Sequence, residues 1–228
     1  RTLTFTRVKT RMTRRNSDRE RALVTTVARW FRRTARALPW RDSATSAWGI
    51  LLSEVMAQQT PVARVAPIWV EWMDRWPTPK DLAKATPAQV ITAWGRLGYP
   101  RRALRLHAAA QIIAEDFNNK VPEDQETLQL LPGIGEYTAA AIAAFAFEQR
   151  SLVMDVNIRR LLVRAIDGEE HPKPAPTAKE KARRLATLPA KNAHVWAAAT
   201  MELGALVCTS KNPLCELCPI IGQCQWRK

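Results

Sequence analysis

The sequence predicts an all-α protein. Period-two alternation is scarce, apolar residues recur at helical spacing through Ala-, Leu- and Arg-rich stretches, and caps and prolines punctuate the chain at short intervals. Its 228 residues, 46% hydrophobic and 25% charged, allow one or two compact domains and exclude a disordered, collagenous or low-complexity chain. The longest unbroken apolar run, Ala139 to Phe147, is nine residues, against about 20 needed to cross a bilayer. No charged-then-apolar leader opens the chain, so we expect a soluble, cytoplasmic protein without a membrane partner.

The elements follow in order. Asp18 is the expected N-cap of a first helix in which Leu23, Val27 and Phe31 repeat at i+4, ending near Leu38 before Pro39. A second helix spans Trp48 to Gln58 and stops at Thr60-Pro61. A third runs from Val62 to Trp76, bent at Pro67 and closed by Pro77-Thr78-Pro79. Thr86-Pro87, a cap followed by proline at the first helical position, opens Ala88 to Trp94. Further helices are expected over 101–117, 124–131, 136–147, 156–166, 177–187 and 192–206, with a proline-containing linker from Gly168 to Thr177.

Charge narrows the partners. Thirty-five Lys and Arg against 21 Asp and Glu give a net charge of +14. Residues 1 to 21 hold eight basic and two acidic side chains, so +6 sits in an N-terminal arm and +8 on the body. The composition of Arg1 to Arg15 suggests that this arm is mobile. Such a balance favours polyanions, nucleic acid above all.

All four cysteines, Cys208, Cys215, Cys218 and Cys224, lie in the last 21 residues with the spacing C-x6-C-x2-C-x5-C. Four thiols on one short loop suit a single centre, either tetrahedral zinc or a [4Fe–4S] cluster. Zinc sites more often pair two Cys-x2–4-Cys knuckles across a longer span, so this spacing leans to the cluster. Leu131-Pro132-Gly133-Ile134-Gly135 lies between two expected helices, and its two glycines permit positive φ in a tight turn. It reads either as a plain helix–helix turn or, with the basic chain around it, as a helix–hairpin–helix whose backbone N–H groups hold a DNA phosphate.

Two carboxylates stand out. Glu54 interrupts Ile50-Leu51-Leu52-Ser53-Glu54-Val55-Met56, where it is either the solvent stripe of a helix or a functional acid in an apolar setting. Asp155 precedes a basic helix, where it is either an N-cap or the second member of a carboxylate pair of the kind that cleaves glycosidic bonds.

These residues together resemble a known family. Leu131 to Ala139, Asp155-Val156-Asn157 and the four-cysteine spacing are similar to the endonuclease III superfamily of helix–hairpin–helix DNA glycosylases. Leu38-Pro39-Trp40-Arg41, Ser53 to Thr60 and Gly95-Arg96-Leu97-Gly98-Tyr99 resemble its MutY-type, A/G-specific adenine glycosylases, as a catalytic core without their C-terminal 8-oxoguanine-reading domain. The resemblance covers about Asp18 to Trp226. It implies a six-helix barrel lobe over 44–150, an iron–sulfur lobe from 18–43 with 151–228, and duplex DNA bound between them with its target base flipped out.

The resemblance also implies the chemistry. Glu54 would be the general acid at N7 of adenine, its pKa raised by its apolar neighbours, and Asp155 would stay ionised to stabilise or bond the oxocarbenium-like sugar. Tyr137 would sit beside the sugar, supported by Asn157. Arg36, Leu38, Trp40 and Arg41 would line the base pocket, Gln59 and Tyr99 would enter the stack, and Pro132, Gly133 and Gly135 would form the phosphate-holding hairpin. Cys208, Cys215, Cys218 and Cys224 would hold a [4Fe–4S] cluster that steadies the Lys211 to Lys228 loop. Relatives that also cut the strand carry Lys where this chain has Tyr137, which implies a monofunctional enzyme acting as a monomer on nucleoid DNA. Ala198 departs from the Gln or Glu often found near the base. Short relatives include thymine glycosylases acting on T·G mismatches, and loss of catalysis would leave a DNA-binding protein.

Overall fold

The computed structural model describes residues 3–228, with side chains from Asp18 onward. The expected arm over 1–17 therefore falls on residues whose side chains, and at positions 1 and 2 also the backbone, lie outside the described residues. Every regular element described is helical. Two compact units result, one of residues up to Ala35 with Leu152–Lys228, the other Arg36–Ser151.

The first helix, α1, runs Leu3–Thr34. Asp18 is thus inside the helix and not its cap, and it pairs with Arg21 one turn on, an exposed pair worth little to stability.

The Arg36–Ser151 unit is built on tryptophan. Helices α2 (Ala47–Met56), α3 (Val62–Arg75) and α5 (Pro87–Trp94) bring Trp48, Trp69, Trp72, Trp76 and Trp94 into one core. Trp72 stands edge-on to Trp76 and Trp94, with ring centroids 4.8 and 5.6 Å away, the geometry that aromatic quadrupoles favour. Four of the indole N–H groups donate to backbone carbonyls, those of Trp76, Gly49, Ala93 and Gly98, so these large side chains are buried without an orphan donor.

One expected break is corrected. Thr78-Pro79 opens a helix, α4 (Pro79–Ala83), in which the Asp81 carboxylate accepts from the Thr78 amide at 3.2 Å and hydroxyl at 2.6 Å. This capping box has the same Thr-Pro start as α5, where Thr86 and Gln89 cap each other. The adjoining Pro77 reads as a stop because proline ends one helix as readily as it begins another. Helices α6 (Arg101–Asp116), α7 (Gln125–Leu130) and α8 (Glu136–Phe147) complete the unit. On α8, Thr138 to Ala144 are all buried, and the small side chains let α2 lie close against them.

In the other unit α9 (Val156–Leu162) packs on α11 (Ala193–Leu206), and α11 packs on α1. Arg159 of α9 grips Glu180 of α10 (Ala178–Thr187) with two parallel bonds of 2.8 and 2.9 Å, which holds the Glu180 carboxyl below its ordinary value. After Leu162 the helix widens into a π turn, Val163–Asp167, ended by Gly168 at φ 80°. Its carbonyls at Arg164 and Ala165 accept from the amides of Trp226 and Gln225, both at 3.1 Å, and so anchor the cysteine loop.

Gly204 is where α11 meets α9, because a Cβ there would lie 2.6 Å from the Asn157 carbonyl oxygen. Gly204→Ala should therefore cost about 1–3 kcal/mol by overpacking, whereas Gly222→Ala, at a position facing open space, should be neutral. Urea denaturation of the two variants checks this, and equal midpoints would refute it.

Candidate active site and cluster loop

Helix α2 has no solvent stripe. Every residue from Trp48 to Met56 is buried except Glu54, which is half-buried. The helix is enclosed on its other sides by the tryptophan core and α8, so its one carboxylate occupies its one opening. Tyr137, in the first turn of α8, points its hydroxyl at Glu54 Oε2 from 3.4 Å. The contact is long for a hydrogen bond, but it places a phenol beside the carboxylate.

The hairpin between α7 and α8 also sits in this unit. Gly133 alone takes the left-handed conformation, at φ 85°, and a Cβ there would meet Arg105 Cβ at 3.1 Å. Gly135 does not have positive φ as its sequence context suggests: it is extended, at φ −90°, and is the N-cap of α8. Its missing side chain leaves open space, and it caps the helix without a side-chain hydrogen bond. Gln58 Nε2, one turn beyond Glu54, donates to the Gly133 carbonyl and to Thr138 Oγ1, fixing hairpin and acid in one frame.

Arg36, Leu38, Trp40 and Arg41 lie half-buried around a 3-10 turn, Pro39–Arg41, beside the start of α2. Arg41 donates to the Arg36 carbonyl at 3.0 Å, and Trp40 stands edge-on to Trp69 at 6.0 Å. Gln59 and Tyr99 are exposed, each on left-handed backbone, at φ 54° and 49°.

Asp155 is both a cap and a buried acid. Oδ1 accepts from the Ile158 amide at 2.6 Å, and Oδ2 accepts from Asn157 Nδ2 at 2.8 Å. Burial raises its pKa, opposed by these hydrogen bonds and by Arg160. Asn157 Oδ1 in turn accepts from Arg160 Nη2 at 2.9 Å, and Arg160 Nε donates to the Cys208 carbonyl at 2.8 Å. A continuous chain of hydrogen bonds thus joins Asp155 to the first cysteine. Ala198 is half-buried on α11.

All four cysteines line one pocket. Four thiols with an apolar lining that includes Val207 and Ile220 are a donor set that fits an iron–sulfur cluster. Burial pushes the Cys218 thiol up to about 11 and the Cys208 thiol upward as well, so these sulfurs need a cation to become thiolates. Arg164, 1% exposed, directs Nη1 at Cys208 Sγ from 3.6 Å and lies over the Trp226 ring at 4.6 Å.

Sequence reasoning missed Arg160 and Arg164. Within Ile158-Arg159-Arg160-Leu161-Leu162-Val163-Arg164 the arginines read as a basic face, but all three are buried. Their available signal is that they interrupt an apolar run.

Residues 52–187 match the model of the HhH-GPD superfamily of base excision DNA repair proteins, and residues 208–224 match the iron-sulfur binding domain of endonuclease III. The chain belongs to the HhH-GPD superfamily. It is a base-excision DNA glycosylase carrying a [4Fe–4S] cluster, and Cys208, Cys215, Cys218 and Cys224 all fall in the segment matched to the iron-sulfur domain. The adenine DNA glycosylase of Mycobacterium tuberculosis is 50% identical over 204 residues, 89% of this chain and 67% of that one. The human adenine DNA glycosylase is 41% identical over 214 residues, 87% of this chain and 38% of its own. Among solved structures, a thermostable thymine-DNA glycosylase superposes with a TM-score of 0.84 at 22% identity, covering 92% of this chain and 97% of its own. An endonuclease III from a DNA complex gives 0.78 at 19%, covering 92% and 96%. No described helix of this glycosylase is long and apolar enough to cross a membrane.

The cluster predicts about four irons per chain and absorbance near about 400 nm, both lost in Cys218→Ser; one zinc per chain would refute it. Asp155 predicts a pH dependence with a defined sign. Its raised folded-state pKa stabilises the protein fully below the ordinary value of about 3.9, and that contribution is lost as pH rises through the raised value. Asp155→Asn keeps an acceptor for the Ile158 amide without a charge to bury. Wild-type stability relative to this variant should therefore fall as pH rises, as read from urea midpoints, and a rise instead would refute the burial argument.

Proposed function

We propose that this glycosylase removes adenine mispaired with 8-oxoguanine or guanine and leaves the strand uncut. One observation carries the reading: the carboxylate at the single opening of α2 has a phenol beside it, Tyr137 Oη at 3.4 Å from Glu54. A phenol cannot form the Schiff base that strand cleavage at an abasic sugar requires. The adenine reading is supported by relatives 41% to 50% identical, each an adenine DNA glycosylase, over a chain that shares only its fold with the thymine enzyme.

In this mechanism Glu54 gives its proton to N7 of adenine. The C1′–N9 bond breaks with its electron pair going to the base, which leaves neutral. The ionised Asp155 carboxylate stabilises the positive charge developing on the sugar, held in orientation by Asn157 and the Ile158 amide. Water adds at C1′ and returns a proton to Glu54, so the products are adenine and an abasic site. Arg36, Leu38, Trp40 and Arg41 shape the base pocket, and Gln59 and Tyr99 enter the duplex as the base flips out. Pro132, Gly133 and Gly135 present the α8 amides to a phosphate. The enzyme works as a monomer.

The test is single-turnover base release from duplexes holding A·8-oxoguanine, A·G or T·G, with and without alkali afterwards. Adenine loss with nicking only after alkali is expected, and Glu54→Gln or Asp155→Asn should lower the rate at least about 100-fold. Thymine loss would transfer the activity to T·G mismatches, nicking without alkali would overturn monofunctionality, and no base loss from any duplex would leave a DNA-binding protein.

A further inference from the structure

One half-buried arginine joins the two turns that carry Gln59 and Tyr99. Arg102, in the first turn of α6, donates through Nη1 to the carbonyls of Val55 and Met56, both at 3.1 Å, and to that of Gln58. Through Nη2 it donates to Thr60 Oγ1 at 2.8 Å and to the carbonyls of Leu97 and Gly98 at 2.9 and 3.1 Å. The first set belongs to the C-terminal end of α2 and the turn after it, where helix carbonyls lack intrahelical donors. The Leu97 and Gly98 carbonyls belong to the turn between α5 and α6. Thr60 Oγ1 also donates to the Leu97 carbonyl at 3.0 Å, tying the two turns directly. The guanidinium carbon lies 5.2 Å from the Trp94 ring and 5.6 Å from the Tyr99 ring.

What this clamp holds is unusual. Gln59 and Tyr99 both have left-handed backbone, which non-glycine residues avoid. Such a conformation persists only where the surroundings over-determine it. Tyr99 is 65% exposed and Gln59 is exposed too, so neither is held by burial of its own side chain. The hydrogen bonds to their flanking carbonyls are what define their direction.

We infer that Arg102 is a positioning residue that sets Gln59 and Tyr99 as one rigid two-pronged probe before DNA arrives, and so contributes to discrimination of mismatched from matched duplex. The inference rests on the proposed entry of Gln59 and Tyr99 into the base stack. Two prongs entering at a fixed spacing gain from pre-set geometry, because any freedom left in them must be given up on binding. Arginine suits this because a planar fork reaches two groups of acceptors at once, which the single ammonium of lysine does not.

The experiment uses the full chain with its cluster, in a Glu54→Gln background so that the duplex stays intact. The ratio of Kd for matched duplex to Kd for A·8-oxoguanine duplex is measured at fixed salt, and a neighbouring 2-aminopurine reports unstacking. Arg102→Lys keeps the charge, so matched-duplex affinity should stay within about twofold, while the ratio should fall about tenfold with a smaller fluorescence rise. In a Gln59→Ala/Tyr99→Ala background, Arg102→Lys should lower the ratio no further.

An unchanged ratio in Arg102→Lys, with the alanine variants impaired, overturns the role of Arg102 alone. The same tenfold loss persisting in the alanine background shows a general structural effect and also overturns it. Alanine variants that keep the full ratio remove the probe reading itself, and this role with it. If Arg102→Lys does not fold, Thr60→Val carries the test, because it removes one acceptor and the tie to Leu97 while leaving the guanidinium in place. Its ratio should fall about threefold, and no fall would overturn the inference.

Discussion

Short helices leave many backbone carbonyls without intrahelical donors, and in this glycosylase arginine side chains collect them. Each helix end leaves up to four such carbonyls, and a buried carbonyl left unmatched costs about 1–3 kcal/mol. Arg102 serves five carbonyls at two turns of the tryptophan-rich unit. Arg160 takes those of Gly204 and Cys208, and Arg164 those of Glu170, Thr209 and Ser210. Arg19 reaches the carbonyls of Ala165 and Gln223. The guanidinium group is suited to this work because it offers five donors in a fixed plane and stays charged when buried.

This arrangement divides the basic charge of the chain into two kinds. Arg159, Arg160 and Arg164 are buried, so part of the +14 is internal and organises the cysteine loop and the start of α9. The exposed basic side chains supply the general attraction to phosphate that DNA binding needs. The two carboxylates are likewise held by different means. Glu54 is set in place by apolar packing on the buried faces of α2, with a phenol as neighbour. Asp155 is set by directional hydrogen bonds from Ile158 and Asn157 and by the arginine behind them. Burial raises the pKa of Asp155 and these hydrogen bonds oppose the rise, so its protonation is set by the balance of the two.

Much of the fold could be read from local signals. The helix starts at Thr86 and the stops at Pro61 and Gly168 depend on backbone groups within a few residues, so sequence context suffices there. The misreadings came where one local signal has two meanings. Pro79 opens a helix in the same way as Pro87 but stands behind a second proline. Asp18 is a good cap residue that the structure runs through. Gly135 shares a motif with Gly133 but takes an extended conformation that any residue can adopt.

The sequence by itself determined the all-α class, the hairpin, the cysteine spacing and the identity of the residues able to do acid and electrostatic work. Each depends on residue type at short separation, where chain geometry leaves few choices. Only the tertiary structure decided which polar groups are enclosed. Periodicity cannot reveal that α2 is covered on every side but one, because enclosure depends on helices distant in sequence. For the same reason the arginines of α9 read as a basic face until α11 and the cysteine loop close around them, and only the folded chain brings two separate turns to the side chain of Arg102.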